Sequence, residues 1–199
     1  RKAIELRPDL ADSYLNLGSI LKNLGNLNGA ELVTRKAIQF QPKMANAYSN
    51  LGMILRELGN LKEAELYLRK AVELNPNLSE SHFNLGSILL QIGQLKEAEI
   101  STRKAIDLEP DHLFAYNNMG NILKQLLKSK EAEIYLVKAI KINPEFKIAH
   151  YNLGLIYCEL NKFEDAITSF KKALALKMDH DLCMVGLGQA LLKKGNYAE

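Results

Sequence analysis

The sequence predicts an all-α solenoid, a single domain over 1–199 built from 34-residue helix-turn-helix repeats, and three observations carry that expectation. All five prolines, Pro8, Pro42, Pro76, Pro110 and Pro144, recur at one fixed 34-residue step. Gly18, Gly52, Gly86, Gly120, Gly154 and Gly188 keep the same step. So do two alanine columns, Ala30, Ala64, Ala98, Ala132 and Ala166, and Ala3, Ala37, Ala71, Ala105, Ala139 and Ala173. Columns in register at this period are the mark of stacked supersecondary units. Counting from seven residues before each glycine gives five full units, 11–44, 45–78, 79–112, 113–146 and 147–180. Residues 1–10 read as the end of an earlier repeat, and 181–199 as the first helix and opening turn of a later one.

Each unit reads as two helices and a tight turn. In 11–44, Tyr14, Leu17, Leu21 and Leu24 recur at three- and four-residue steps, an apolar helical face that ends at Gly25. The second helix is expected from about Asn28 to Phe40, with Ala30, Val33, Ala37 and Phe40 inward. Pro42 stops it, because proline lacks the amide proton and clashes with the preceding turn. A mid-helix glycine costs about 1 kcal/mol relative to alanine, so the Gly18 column predicts a close approach of two helix backbones. One hairpin cannot bury both of its apolar faces, and each buried Leu or Ile contributes only about 1.5–3 kcal/mol, so stability is expected from stacked neighbours. The cut ends then leave apolar faces uncovered, which predicts end-to-end homo-association or further repeats. In the fourth and fifth units the turn glycine becomes Leu127 and Asn161, and the stop proline becomes Met178. Asparagine tolerates a left-handed backbone and leucine resists it, so the 126–130 turn is expected to be reshaped.

With 47% hydrophobic and 25% charged residues the chain has an ordinary soluble composition. No apolar run approaches the roughly 20 residues of a membrane-spanning helix, so no membrane partner is expected. The chain opens at Arg1 in the middle of a helical pattern, so its natural N-terminus is expected to lie further upstream, with the cytoplasm as the default location. The net charge of +3 arises from 26 basic and 23 acidic residues spread along the length, a mixed solvated surface that gives no sign of nucleic acid. Cys158 and Cys183 read as free, small hydrophobic residues.

The recurrence of Tyr14, Leu17, Gly18, Leu21, Ala30, Ala37 and Pro42 through residue 180 resembles the tetratricopeptide motif. The resemblance implies a right-handed superhelix of antiparallel helix pairs. In it the first helix of each pair lines a concave groove and the second faces outward. It also implies a scaffold that binds a protein or peptide.

The first helices carry a polar stripe opposite the core. It runs Asp12, Asn16, Ser19 and Asn23; Asn46, Asn50, Met53 and Glu57; Glu80, Asn84, Ser87 and Gln91; Phe114, Asn118, Asn121 and Gln125; Ile148, Asn152, Leu155 and Glu159. Asn16, Asn50, Asn84, Asn118 and Asn152 form an unvarying column, although asparagine prefers caps and turns to helix interiors. Its side chain offers one acceptor and one amide donor, the pair a peptide bond also offers, so a row of them fits an extended backbone of any sequence. Bonding of these asparagines to a neighbouring repeat is the other reading. Leu15, Phe83 and Tyr151, with Met53, Phe114 and Leu155, would supply apolar pockets for a ligand's side chains, or else inter-repeat packing. The candidate groove set is therefore Asn16, Asn50, Asn84, Asn118, Asn152, Ser19, Met53, Ser87, Asn121, Leu155, Phe83 and Tyr151.

The unbroken row is similar to that in the superhelix of the O-linked N-acetylglucosamine transferases. This implies an alternative, a substrate-recognition arm of a larger transferase whose catalytic domain lies outside this sequence. Chaperone-binding members of the family clamp a terminal carboxylate with groove lysines and an arginine. Here Leu15, Ser49, Phe83, Asn117 and Tyr151 flank the row, and they cannot assemble that clamp. Lys22, Arg56 and Lys124 would favour acidic partners locally.

On the second helices Glu31 with Arg35, Glu65 with Arg69, and Glu99 with Arg103 are spaced for i,i+4 pairs worth about 0.2–0.5 kcal/mol each. Lys36, Lys70, Lys104, Lys138 and Lys172 extend that face into a basic row, a second alternative as a polyanion- or RNA-binding solenoid. The acidic neighbours should cancel most of its field, so nucleic acid is not expected to bind. His82 and His150 replace the tyrosines of the Tyr14, Tyr48 and Tyr116 column and read as core substitutes, while His112 and His180 fall in inter-repeat turns. His180 with Cys183 is only half of a zinc pattern. With no phosphate-cradling Gly-rich loop and no serine elbow, no catalytic residue, metal ligand or cofactor is expected.

Overall fold

A computed structural model describes residues 9–196. Among them the regular elements are eleven helices: α1 (Asp9–Asn23), α2 (Leu27–Phe40), α3 (Ala45–Glu57), α4 (Leu61–Leu74), α5 (Ser79–Gln91), α6 (Leu95–Leu108), α7 (Leu113–Gln125), α8 (Ser129–Ile142), α9 (Lys147–Glu159), α10 (Phe163–Ala175) and α11 (His180–Asn196). The chain is an all-α solenoid of helix pairs, two helices to each 34-residue period. The expected end of an earlier repeat, with Ala3 and Pro8, falls in 1–8, outside the described residues. No helix among those described is long and apolar enough to cross a membrane.

The chain divides into two compact units, Arg1–Leu108 and Glu109–Glu199, and the division falls in the turn between the third and fourth repeats. In the first unit α1 pairs with α2, α3 with α4 and α5 with α6, while α2 lies on α3, α4 on α5, and the first helices α1, α3 and α5 meet in series. In the second, α7 pairs with α8 and α9 with α10, α8 lies on α9, and α11 packs on both α10 and α9.

The small-residue columns form the seams of these pairs. From Ala30 to Ala166 and from Ala37 to Ala173, both alanine columns have 0% exposure. In the five full repeats the glycine is needed because a second-helix side chain sits over it. A Cβ built on Gly52 would lie 2.6 Å from Leu68 Cγ and 3.2 Å from the Ala64 carbonyl oxygen, and one on Gly120 would lie 2.6 Å from Leu136 Cγ. The second-helix residue that covers the glycine, Thr34, Leu68, Thr102, Leu136 or Phe170, is therefore a core position in every full repeat, and all five are buried.

The first repeat departs from its expected inward face. Leu17 and Leu24 are 42% and 76% exposed, whereas Leu51 and Leu85, at the place of Leu17 in later repeats, are buried. Leu51 and Leu85 lie on helices with a described preceding repeat packed against them, α2 on α3 and α4 on α5, and α1 has only residues outside the described part ahead of it. Leu24 belongs to the turn. The second helix starts at Leu27, one residue before the expected Asn28, because the Asn26 side chain caps it by accepting the Gly29 N–H at 3.0 Å.

The turn expected to be reshaped keeps the common geometry. Gly25 has φ 77° and donates its N–H to the Lys22 carbonyl at 2.9 Å, while Asn26 donates to Leu21 at 2.9 Å, the paired bonds of a left-handed helix stop. Leu127 adopts φ 59° and repeats both bonds, to Lys124 at 2.9 Å and, from Lys128, to Leu123 at 2.8 Å. Asn161 and Lys177 do likewise at φ 59°, and Lys177 ends α10 where proline is replaced by Met178. Two satisfied carbonyls outweigh a steric cost of about 1–2 kcal/mol at one residue. Leu127 is 90% exposed and has little packing to lose. Leu127→Gly should therefore raise stability by about 1 kcal/mol, seen as a Tm about 2–4 °C higher; an unchanged or lower Tm would show that the turn carries no strain.

Candidate functional site

The asparagine column is positioned by the helix pairing just described. In the first unit Asn16, Asn50 and Asn84 lie on α1, α3 and α5, and with Ser19 and Met53 they line one open cleft of about 260 Å³ that also includes Lys22, Asn46 and Glu80. Asn16 is exposed, Asn50 half-buried and Asn84 buried at 2% exposure.

The amides of Asn50 and Asn84 are engaged with the preceding repeat. Asn50 donates from Nδ2 to Ser19 Oγ at 3.3 Å, and Asn84 donates to Ser49 Oγ at 3.3 Å and to Glu80 Oε1 at 3.2 Å. The Asn84 carbonyl oxygen Oδ1 is buried without a hydrogen bond. In the second unit Asn152 donates to Asn117 Oδ1 at 2.9 Å and is 9% exposed, while Asn118, Asn121 and Leu155 are half-buried. The bonds to Ser19, Ser49 and Asn117 are the inter-repeat contacts of the second reading given above, and they orient Asn50, Asn84 and Asn152.

The remaining candidates do not line that cleft. Ser87 Oγ donates to the Phe83 carbonyl at 3.0 Å, and both residues are half-buried. Tyr151 packs at 5.7 Å on Phe170 and, with Leu155, lies against the cluster of Ala166, Ile167, Phe170, Leu187 and Ala190. Phe114 meets Phe146 edge-on at 5.5 Å. Burial pushes the Cys183 and Cys158 thiols above their ordinary range, and both cysteines are free.

The histidines in the tyrosine column keep the tyrosine's hydrogen bond. Tyr48 Oη donates to the Pro42 carbonyl at 3.2 Å, and His82 and His150 donate from Nε2 to Pro76 and Pro144 at 2.9 Å each. His112 caps α7 by accepting the Ala115 N–H on Nδ1 at 3.3 Å. His180 lies 3.5 Å from Asp181, and no group of three His, Cys, Asp or Glu side chains that could hold a metal ion occurs among the described residues.

Three family models, each described as a tetratricopeptide repeat, match the chain, at 45–78 and 148–177, at 1–31 and 67–100, and at 115–146. The chain belongs to the tetratricopeptide repeat family. A search of curated proteins found no match. Among solved structures the chain is similar to YrrB, described as a tetratricopeptide protein with an unusual peptide-binding site, with 26% identity and TM-score 0.72 over 92% of this chain and 94% of that one. It is similar to MamA at 26% identity and TM-score 0.72, covering 80% and 94%. It shares its fold with pilF of Pseudomonas aeruginosa, at 20% identity and TM-score 0.85, covering 96% and 89%.

The outer face of this tetratricopeptide stack carries a feature that the i,i+4 reading missed. Arg35 binds Glu31 at 2.8 Å as expected, but it also reaches into the next repeat, to Glu63 at 2.7 Å and Tyr67 Oη at 2.6 Å, with its guanidinium 5.3 Å from that ring's centre. Arg69 repeats the clasp, to Glu65 at 2.8 Å and Glu97 at 2.6 Å. The bonds from Glu97 and then Glu65 hold its charge more firmly than an isolated arginine's. The signal was a second column of acids, Glu63 and Glu97, each at the same separation in sequence from the arginine it meets. Three lysines of the basic row are engaged within the chain: Lys70 pairs with Glu73 at 2.7 Å, and Lys36 and Lys138 lie 5.7 Å from the ring centres of Tyr14 and Tyr116.

Proposed function

We propose that this chain is a non-catalytic protein-interaction scaffold that takes an extended polypeptide in the cleft formed by its first helices. The observation that carries this reading is the open cleft of the first unit, where Asn16, Asn50 and Asn84 come together with Ser19 and Met53.

The chemistry fits a main-chain ligand. An asparagine whose amide is held by the preceding repeat loses little side-chain freedom when its other atoms meet a ligand, so the entropic cost of binding is reduced. Asn16 offers an exposed amide, and Met53 an adaptable apolar wall for a ligand side chain. Lys22 and Glu80 give the rim one charge of each sign, so recognition rests on hydrogen bonding, with weak dependence on salt. In the second unit Asn118 and Asn152 continue the column with Asn121 and Leu155, and they would serve a ligand in the same way. YrrB, described as having a peptide-binding site, supports this kind of ligand for a chain of similar fold.

A display of random extended peptides identifies ligands for the wild type, and the test is their affinity for Asn50→Ala combined with Asn84→Ala. Affinity should fall at least about ten-fold, roughly 1.4 kcal/mol, with helix content unchanged. Ligands retained at full strength by the folded double variant would reject the asparagine cleft as the site.

A further inference from the structure

A second recess lies in the second unit, between α8, α9 and α10, and it exists because the repeat pattern is broken there. Between the first and second repeats the equivalent place holds larger side chains. Tyr48 and Tyr67 pack with ring centres 6.0 Å apart, and Arg35 lies over the Tyr67 ring, bonded to Glu63 and to the Tyr67 hydroxyl. Three periods later Arg35, Tyr48 and Tyr67 become Val137, His150 and Ser169, and Glu63 becomes Asp165. Val137 cannot reach across to Asp165, and Ser169 cannot fill the volume of a phenol ring. His150 keeps the bond of Tyr48 to the proline carbonyl, at 2.9 Å from Pro144, with a smaller ring.

The result is a crevice of about 380 Å³ whose floor includes Val137, Ile140, Leu153 and Tyr157. That is the small end of the range of ligand pockets, about 300–1,000 Å³, and fits one large side chain with its flanks. Its mouth holds Lys141, Lys172 and Asp165, none of which forms an ion pair among the described residues. Lys141 stands where the first three repeats have Gln39, Glu73 and Asp107; against the first repeat it offsets the arginine lost at Val137, so the rim keeps one net positive charge but loses the arginine that neutralised the acid. On α9 the crevice residues His150 and Leu153 lie roughly 200° round the helix from Asn152 and Leu155, so this is a different face from the asparagine column.

We infer that this crevice is a second docking site, taking one aromatic or branched apolar side chain from an acidic segment of a protein partner. The apolar floor desolvates that side chain, and the two unpaired ammonium groups meet the flanking carboxylates. Asp165 points to one limit on the ligand: its side facing α8 must not be acidic.

The test uses the whole chain and a fluorescent peptide, Asp-Glu-Phe-Glu-Asp, followed by anisotropy. Saturable binding is expected, at least ten-fold weaker when the central phenylalanine is replaced by serine or the flanks by lysine. Val137→Arg, which restores the residue of the first three repeats and its reach to Asp165, should close the mouth and weaken binding at least ten-fold without loss of helix content. Ser169→Tyr should do the same by filling the floor. Asn50→Ala combined with Asn84→Ala should leave this peptide's affinity unchanged, which separates the crevice from the cleft. No saturable binding, equal binding by both crevice variants, or equal binding of the lysine-flanked peptide would overturn the assignment.

Discussion

Phe170→Ala is expected to lower the unfolding free energy by about 3–5 kcal/mol, the range for deleting a fully buried aromatic ring. Phe170 has 0% exposure and is a seam between three helices. Its Cε1 lies 2.7 Å from where a Cβ would stand on Gly154 of α9 and equally close to one on Gly186 of α11, and Tyr151 packs on it at 5.7 Å. The two glycines keep the neighbouring backbones at a separation the ring fills, so its removal leaves a void that α9 and α11 cannot close without breaking their other contacts with α10. Urea denaturation followed by circular dichroism measures the loss. A cost below about 1 kcal/mol would mean that the helices collapse into the space and that the ring is not the spacer described here.

Gly120→Val should cost about 3 kcal/mol, the upper end of overpacking, because the first added carbon already meets Leu136 at 2.6 Å and the branches reach further. The control is Gly188→Ala in the same chain. Gly188 holds the same position in its repeat, yet a Cβ there would meet nothing within 4 Å. With no neighbour to push, that substitution should stabilise α11 by up to about 1 kcal/mol through helix propensity alone. Opposite signs at two equivalent glycines would show that the close approach of the second helix sets the column. Losses of similar size at both would point to a backbone requirement of glycine itself.

The glycine, alanine and proline columns made the helix pairs legible in the sequence, because small residues and helix stops act through local sterics that recur once in every repeat. What depended on the balance of two energies was not legible. Leucine resists the left-handed backbone, but at Leu127 the paired carbonyl bonds and the packing of both flanking helices hold it there. Thr34 and Thr102, which alternate with Leu68 and Leu136 over the glycines, break the apolar pattern and so were not read as core. The arginine clasp escaped because an i,i+4 acid already explained each arginine, and the second acid belongs to the following repeat. For the asparagine column both readings were open from sequence. The amides bond to the preceding repeat at Asn50, Asn84 and Asn152, and the same geometry brings Asn16, Asn50 and Asn84 to one open cleft. A bond to the preceding repeat and a place on the cleft wall occur together in one side chain, and a residue pattern does not separate them.

Photo-crosslinking locates a bound polypeptide directly. Met53 replaced by benzoylphenylalanine should capture ligands selected on the wild type, because it lines the first-unit cleft beside Asn50. The same probe at Leu66, 66% exposed on the outer helix α4, should not. Equal capture from both positions, or capture from Leu66 alone, would contradict binding along the asparagine row.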